Sequence, residues 1–313
     1  MESNLIDINL LRNQKDLVEQ MMKNRSEDVD LDNILELDVT RRNLIQIVDE
    51  LRSKRNTVSK EIAQMKEKPP ELIEEMRKVG DNIKETEEKI RKNKQELHLK
   101  LLEIPNILEN DILIGHDESE NKVIHTWGSP IEYNFSPKPH WEINDTLNII
   151  DFEAGVKVSG SRFFILRGQG AKLERALINW MLDKHTIENK FEEIQVPALV
   201  KQETMTGSGN LPKFEENLYR DTDEDLWLIP TAEVPLTSIH HDDILNGDEL
   251  PKNYVAYSPS FRKEKTSAGR DTRGIKRVHQ FNKVELYKIV SPETSKSELH
   301  NLIDIVENLL QEL

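Results

Sequence analysis

The densest concentration of reactive side chains lies in SPSFRKEKTSAGRDTRGIKRVHQFNKVELYK, residues 258–288. Its pattern is strand, long loop, strand. The first strand ends in Phe261-Arg262-Lys263-Glu264, and the second begins near Val278 and carries Phe281 and Glu285. The loop between them holds Lys265, Arg270, Arg273, Lys276 and Arg277. Residues two apart on a strand share a face, so Arg262 and Glu264 are expected to aim at one ligand. The cations and the two glycines of the loop suit an approach to phosphates or to a nucleic-acid end. A solvated basic hairpin loop has the same composition, and spacing alone leaves both readings open.

A second cluster is LIPTAEVP, residues 228–235, in which Thr231 and Glu233 flank Ala232 between two prolines. A hydroxyl and a carboxylate at a strand end with restricted backbone suit a small cationic or hydroxylated ligand. They equally suit a strand terminus followed by a helix N-cap. A third segment, GSGNLPKF at 207–214, reads as a lid or as a surface turn.

The elements that must position these groups fall into two textures. Residues 1–104 contain one glycine, Gly80, whereas Gly, Pro, Trp, Tyr and Phe recur from Pro105 onward. The expected domains are therefore 1–104 and 105–313. In the first, apolar residues at Leu37, Leu44, Val48, Leu51, Val58, Ile62 and Met65 form a helical seam. Leu72, Met76, Val79, Ile83, Ile90 and Leu97 form a second. Arg41, Arg55, Thr86 and Asn93 interrupt the seams with polar groups. Lys68-Pro69-Pro70 separates them, because residues before proline avoid the helical region and Pro70 suits a first helical turn. An antiparallel two-helix coiled coil over about 30–67 and 70–103 follows, with its tip at Lys68–Pro70. Asp7, Leu10, Leu11, Leu17, Val18 and Met21 suggest short helices at its base. In the second domain, strands are expected at 163–167, 194–197, 226–230, 253–257 and 282–288. Amphipathic helices are expected from Ala171 to Lys190 and from Pro292 to beyond Leu313. The fold class is α+β, a largely antiparallel sheet with flanking helices. Neither a GxGxxG after a strand nor a P-loop is present, which argues against a doubly wound nucleotide fold.

Composition narrows the function classes. The 313 residues carry 43 Lys+Arg, 58 Asp+Glu and a formal charge of −15. Such a balance argues against a polyanionic partner until it is resolved locally. Residues 30–100 hold 16 basic and 16 acidic side chains, so the proposed hairpin is neutral and the rest carries the whole −15. The loop from Lys263 to Lys276 is locally basic. With no cysteine there is no disulfide, thiolate zinc site or cysteine nucleophile. No apolar run approaches the roughly 18–20 residues of a membrane helix. MESNLIDINLL has no secretory character, so the expectation is a soluble, cytoplasmic protein without membrane contact.

Together the segments resemble the seryl-tRNA synthetases, class II aminoacyl-tRNA synthetases, over essentially the whole chain. IDINLLR and the long hairpin resemble that family's tRNA-binding arm. KPHWEIND, KVSGSRFFILRGQGAKLERALINWML, GSGNLPKF, LIPTAEVPLT, FRKE and SAGRDTRGIKRVHQFNKVEL resemble its catalytic core in order and spacing. The helix from Ala171 and the strand ending at Pro197 resemble motif 1, the dimer element, and Phe261 to Glu285 resembles motif 2. FRKEKTS departs from the family's usual small residue, glutamate and Ala-Gly, but keeps Arg262 and Glu264.

The resemblance implies an ATP-dependent serine–tRNA ligase working through a seryl-adenylate. Arg262 would clamp the ATP α-phosphate and the serine carboxylate, its planar fork suiting bidentate work. Glu264 would accept from the adenine amino group, Phe281 would stack on the ring, and the Val278 backbone would read it. Lys263 and Arg277 join the ATP set. Thr231, Ala232 and Glu233 match the TxE serine-binding segment, and Glu285 would bind the serine ammonium or hydroxyl. Arg270 and Arg273 would guide the tRNA acceptor end. Implied partners are tRNA(Ser), tRNA(Sec), L-serine, ATP with Mg²⁺, and a second copy in a homodimer; no protein metal ligands are implied. In the family, further strands and motif 3 follow the helix in which residue 313 lies, so a truncated catalytic domain is expected. The alternatives are a synthetase-like chain that binds tRNA without charging it, and a purely structural coiled coil.

Overall fold

A computed structural model describes residues 6–65, 69–265 and 273–313. The chain divides into two compact units, Met1–Ser129 and Pro130–Leu313.

In the first unit, short helices α1 (Ile8–Asn13) and α2 (Lys15–Asn24) precede two long ones, α3 (Leu31–Gln64) and α4 (Pro70–Leu101). Asp7 and Asp30 cap α1 and α3 by accepting from the backbone N–H groups of Asn9 and Asn33. Pro70 stands at the first position of α4, where its missing N–H costs nothing. Lys68, at the expected tip, lies outside the described residues. The two helices pack through the seam read from the sequence: Val48, Val79 and Ile83 are buried, with Leu51, Met76 and Ile90 against them. Asn93 is also buried, and its Oδ1 has no hydrogen-bond partner among the described residues. At the base a separate core gathers Leu11, Val18, Met21, Met22, Leu31, Ile34, Leu97 and Leu101.

Beside that base core lies a carboxylate the sequence pattern did not flag. Asp38 is fully buried and takes a two-pronged bond from Arg12, Nε to Oδ2 at 2.6 Å and Nη2 to Oδ1 at 2.7 Å. Arg41 and Arg42 add bonds at 3.0 and 3.2 Å. The Arg12 hydrogen bonds, reinforced by Arg41 and opposed by burial, bring the Asp38 carboxyl down to about 2.

In the second unit, α5 (His140–Leu147) leads to β1 (Ile150–Asp151), α6 (Phe152–Ser159), β2 (Ile165–Leu166) and α7 (Gln169–Ile187). Then come β3 (Glu192–Glu193), β4 (Leu199–Lys201), α8 (Gln202–Gly207), β5 (Leu226–Leu228) and α9 (Glu233–Ser238). The long hairpin β6 (Lys252–Phe261) and β7 (Gln280–Ile289) and the helix α10 (Ser295–Gln311) complete it. β6 and β7 pair antiparallel over ten residues, from Lys252↔Ile289 to Phe261↔Gln280. β3 joins β6 in parallel, beside the antiparallel pairings of β1–β2, β4–β5 and β6–β7. The strand expected at 194–197 is replaced by β3 and β4 on either side. Ile194 still donates to the Val255 carbonyl at 2.8 Å, but Pro197 has no N–H with which to continue a ladder. Ala232, Leu236, Tyr254 and Ala256 are buried together, so α9 rests on the same face of the hairpin as Tyr254 and Ala256.

Candidate active site

Period-2 geometry on β7 puts Phe281, Lys283 and Glu285 on one face, directly opposite Ser260, Ser258 and Ala256 of β6. Ala256, Ser258 and Ser260 are fully buried, so small side chains form the floor beneath three larger ones. The hydroxyls of Ser258 and Ser260 have no partner among the described residues.

Over this face lies the turn from β5 into α9. Ile229 is pinned on both sides: its N–H donates to the Ala198 carbonyl, and its carbonyl accepts from Phe261 N–H. That fixes Pro230-Thr231-Ala232 above the end of β6. Thr231 is buried, and its hydroxyl donates to Glu285 Oε2 at 2.5 Å. The same oxygen, Thr231 Oγ1, accepts from Lys283 Nζ at 2.9 Å and from the Glu233 N–H at 3.3 Å. One donation and two acceptances use a hydroxyl's full capacity. Lys283 Nζ also pairs directly with Glu285 Oε2. Thr231, Lys283 and Glu285 therefore form one closed polar cluster.

Arg262 lies just past the end of β6. Its guanidinium stacks on the Phe281 ring at 5.1 Å, and its Nε donates to the Pro230 carbonyl at 3.3 Å. Its backbone is held by His279, whose carbonyl accepts from Arg262 N–H and whose Nδ1 donates to the Arg262 carbonyl at 3.0 Å. The ring atom's role follows because a carbonyl can only accept.

The expectation that Arg262 and Glu264 share a strand face is not met, because β6 ends at Phe261 and Glu264 adopts a left-handed φ of 49°. Glu264 is instead turned to Arg277, whose Nη1 donates to its Oε2 at 3.0 Å. Arg162 holds the Glu264 carbonyl at 3.0 Å. Lys263 sits over the ring of Tyr219 at 5.5 Å, and Val278 is buried. Of the TxE segment, Thr231 and Ala232 are buried and Glu233 is exposed. Arg270 lies outside the described residues.

Arg273 stacks over the Trp141 ring of α5 at 4.8 Å. Next to it, Ile275 N–H donates to His140 Nε2 at 2.9 Å. Gly274 between them has φ 81°, and a Cβ there would lie 1.9 Å from His140 Nε2. Only glycine brings the backbone this close to the imidazole.

Sequence reasoning singled out Arg262, Phe281, Thr231 and Glu285, and the fold brings them to one face. It missed Lys283, although the alternation Phe281, Lys283, Glu285 was a usable signal. It also missed His140, Trp141 and His279, whose contacts span more than a hundred residues or depend on a backbone carbonyl. Among the described residues no group of three or more His, Asp or Glu side chains is placed to hold a metal ion.

An arginine stacked on an aromatic ring, beside a hydroxyl–carboxylate–ammonium cluster on an antiparallel hairpin, suits a planar base with its phosphates and a small amino compound. Residues 213–313 match the family described as the tRNA synthetase class II core domain (G, H, P, S and T). The fold and site thus define a class II aminoacyl-tRNA synthetase. Residues 5–108 match the seryl-tRNA synthetase N-terminal domain. The chain is 46% identical over 309 residues to the serine–tRNA ligase of Dehalococcoides mccartyi, covering 99% of this chain and 73% of that protein. It is 49% identical to the serine–tRNA ligase of Geobacillus kaustophilus, covering 99% and 74%. Among solved structures, the seryl-tRNA synthetase of Pyrococcus horikoshii complexed with ATP superposes with a TM-score of 0.85 at 35% identity, covering 99% of this chain and 75% of that one. The cytoplasmic serine–tRNA ligase of Naegleria fowleri in complex with AMP gives 0.82 at 29%, covering 98% and 72%. The chain belongs to the seryl-tRNA synthetase family. No helix of the described residues is long and apolar enough to cross a membrane.

Proposed function

We propose that this protein attaches L-serine to tRNA(Ser), and to tRNA(Sec), through a seryl-adenylate. A serine carboxylate oxygen attacks the ATP α-phosphorus, the bond to the bridging oxygen of the β-phosphate breaks, and pyrophosphate leaves with that electron pair. A terminal ribose hydroxyl of the tRNA then attacks the adenylate carbonyl, and AMP leaves. Neither step needs a covalent protein nucleophile, so the work of the site is positioning and charge stabilisation.

The observation that carries this reading is the adjacency of the Arg262–Phe281 stack and the Thr231–Glu285 pair on one face of β7. In the proposal Arg262 swings off the Phe281 ring to clamp the α-phosphate and the serine carboxylate, and the adenine stacks on the ring in its place. Glu264 and the Val278 backbone read the adenine edge, and Lys263 and Arg277 face the polyphosphate. Glu285, with Thr231, Ala232 and Glu233, receives the serine ammonium and hydroxyl. A site built to bond the serine hydroxyl discriminates against alanine, which cannot make that bond. Mg²⁺ enters on the phosphates of ATP, as part of the substrate. Arg270 and Arg273 guide the acceptor end, and the α3–α4 hairpin grips the tRNA body, with domains at 1–104 and 105–313. Exposed Leu173 and Ala176 on α7, with Leu177 and Trp180 only half-buried, support a role for that helix in a cytoplasmic homodimer.

The test is serine-dependent ATP–pyrophosphate exchange with the purified protein, followed by aminoacylation of tRNA(Ser). Exchange is expected with serine and not with alanine. Removing residues 31–101 should spare exchange and remove tRNA charging. Retained tRNA binding with no exchange by the intact chain would refute the ligase reading and leave a tRNA-binding protein.

A further inference from the structure

The cluster around Thr231 contains one member to which the proposed reaction gives no role. Lys283 Nζ donates to Thr231 Oγ1 at 2.9 Å and pairs with Glu285 Oε2. Both partners belong to the proposed serine subsite. The lysine side chain remains 33% exposed, so it is not sealed in the core.

Serine presents an ammonium of the same charge and donor number. Two ammonium groups on the Glu285 carboxylate repel each other, so serine and Lys283 compete for it. Serine bound at Glu285 therefore favours release of the Lys283 ammonium. Its flexible four-carbon stem permits that, and its alternatives are set by the strand. Lys283 stands between Phe281 and Glu285 on one face, about 7 Å from each along β7. Phe281 lies under Arg262, where base and α-phosphate are proposed, and Glu285 marks the amino end of serine. The serine carboxylate and the α-phosphate must meet between them, above Lys283. Beside it Ser258, directly across the ladder, is too small to block the lysine stem.

We propose that Lys283 is a further catalytic residue with two positions. With no serine bound, it neutralises Glu285 and keeps Thr231 and Glu285 preorganised. Displaced by the serine ammonium, it moves to the carboxylate–α-phosphate junction and stabilises the negative charge that gathers there as pyrophosphate departs. This inference rests on the serine–tRNA ligase reading above.

The experiment is exchange kinetics on the full chain, comparing wild type with Lys283→Met, which keeps the stem and removes the charge, and with Lys283→Arg. Circular dichroism checks that each variant is folded. Lys283→Met is expected to lose about 100-fold or more in kcat. Its KM for serine should be unchanged or lower, because the internal competitor for Glu285 is gone. Lys283→Arg is expected to recover part of the rate while raising the KM for serine, since a guanidinium grips Glu285 through two bonds. A purely structural lysine gives the opposite split: a raised KM in Lys283→Met at unchanged kcat. That result, or wild-type kinetics in Lys283→Met, overturns the inference while leaving the ligase reading intact. If Lys283→Met fails to fold, Lys283→Arg decides, and wild-type kcat and KM in that variant overturn it. Absence of exchange in the wild type refutes the ligase reading itself, and this inference with it.

Discussion

Asp38→Asn should loosen the base of the arm at neutral pH and have almost no effect in strong acid. Asp38 is fully buried and accepts from Arg12, Arg41 and Arg42, and the Arg12 bonds chiefly hold its carboxyl at about 2 in place of 3.8. At about 1.4 kcal/mol for each tenfold change in proton affinity, that depression corresponds to about 2.5 kcal/mol of stability. The folded value lies below the unfolded one, so the stabilisation is fully present above about pH 5. It is lost as pH falls through the folded value, with about half remaining near pH 3. The amide introduced at this position would lose the charge and turn an N–H group toward a guanidinium, so the loss is expected at about 2–4 kcal/mol. Hydrogen exchange resolved by peptide reads this locally, which matters because a chain of two units is a poor candidate for two-state unfolding. Amides of α1 and of the first turns of α3 should open more readily in Asp38→Asn at pH 7, by about that free energy. The gap between variant and wild type should halve by about pH 3. Equal protection at pH 7, or a gap that stays constant into acid, would refute the assignment of this stability to the Asp38 charge.

Other perturbations test the remaining joints of the structure. Arg262→Lys keeps the charge but loses the planar stack on Phe281 and the Nε bond to Pro230, so exchange should fall by about 100-fold or more; a rate within threefold of wild type would contradict the clamp. Gly274→Ala puts a methyl group into His140 and strains a φ of 81°, so the chain carrying Arg273 must shift. Its tRNA charging should drop about tenfold or more while exchange stays within threefold; equal losses in both assays would count against a separate acceptor-end role. Asn93→Leu removes from the coiled-coil seam a buried amide whose Oδ1 has no partner among the described residues, and should stabilise the α3–α4 pair by about 1 kcal/mol, read as slower exchange in α4. Faster exchange would mean that the amide is in fact satisfied.

Much of this molecule was legible in its residues. The seam at Val48, Val79 and Ile83 followed from heptad spacing, and the start of α4 at Pro70 from proline chemistry. The β6–β7 hairpin was legible as strand, loop, strand, while spacing left the roles of Arg262, Thr231, Phe281 and Glu285 open and the resemblance to the seryl-tRNA synthetases supplied them. What failed was the local geometry at element ends. Arg262 and Glu264 were assigned to one pleated face, but the strand stops at Phe261 and Glu264 turns left-handed toward Arg277. The strand expected at 194–197 was displaced to either side of a region that ends in Pro197.

Spacing along the chain by itself determined which faces are apolar and where helices begin, because those properties repeat with the short periods of helix and strand. Tertiary structure alone decided which charges face each other. Asp38 gathers Arg12 from another helix, Lys283 closes on Thr231 from 52 residues away, and Ile275 meets His140 from 135 residues away. None of these pairings has a period or a local propensity. Each exists because packing fixes two distant backbones at hydrogen-bonding distance, and a buried charge there is stable only with a partner.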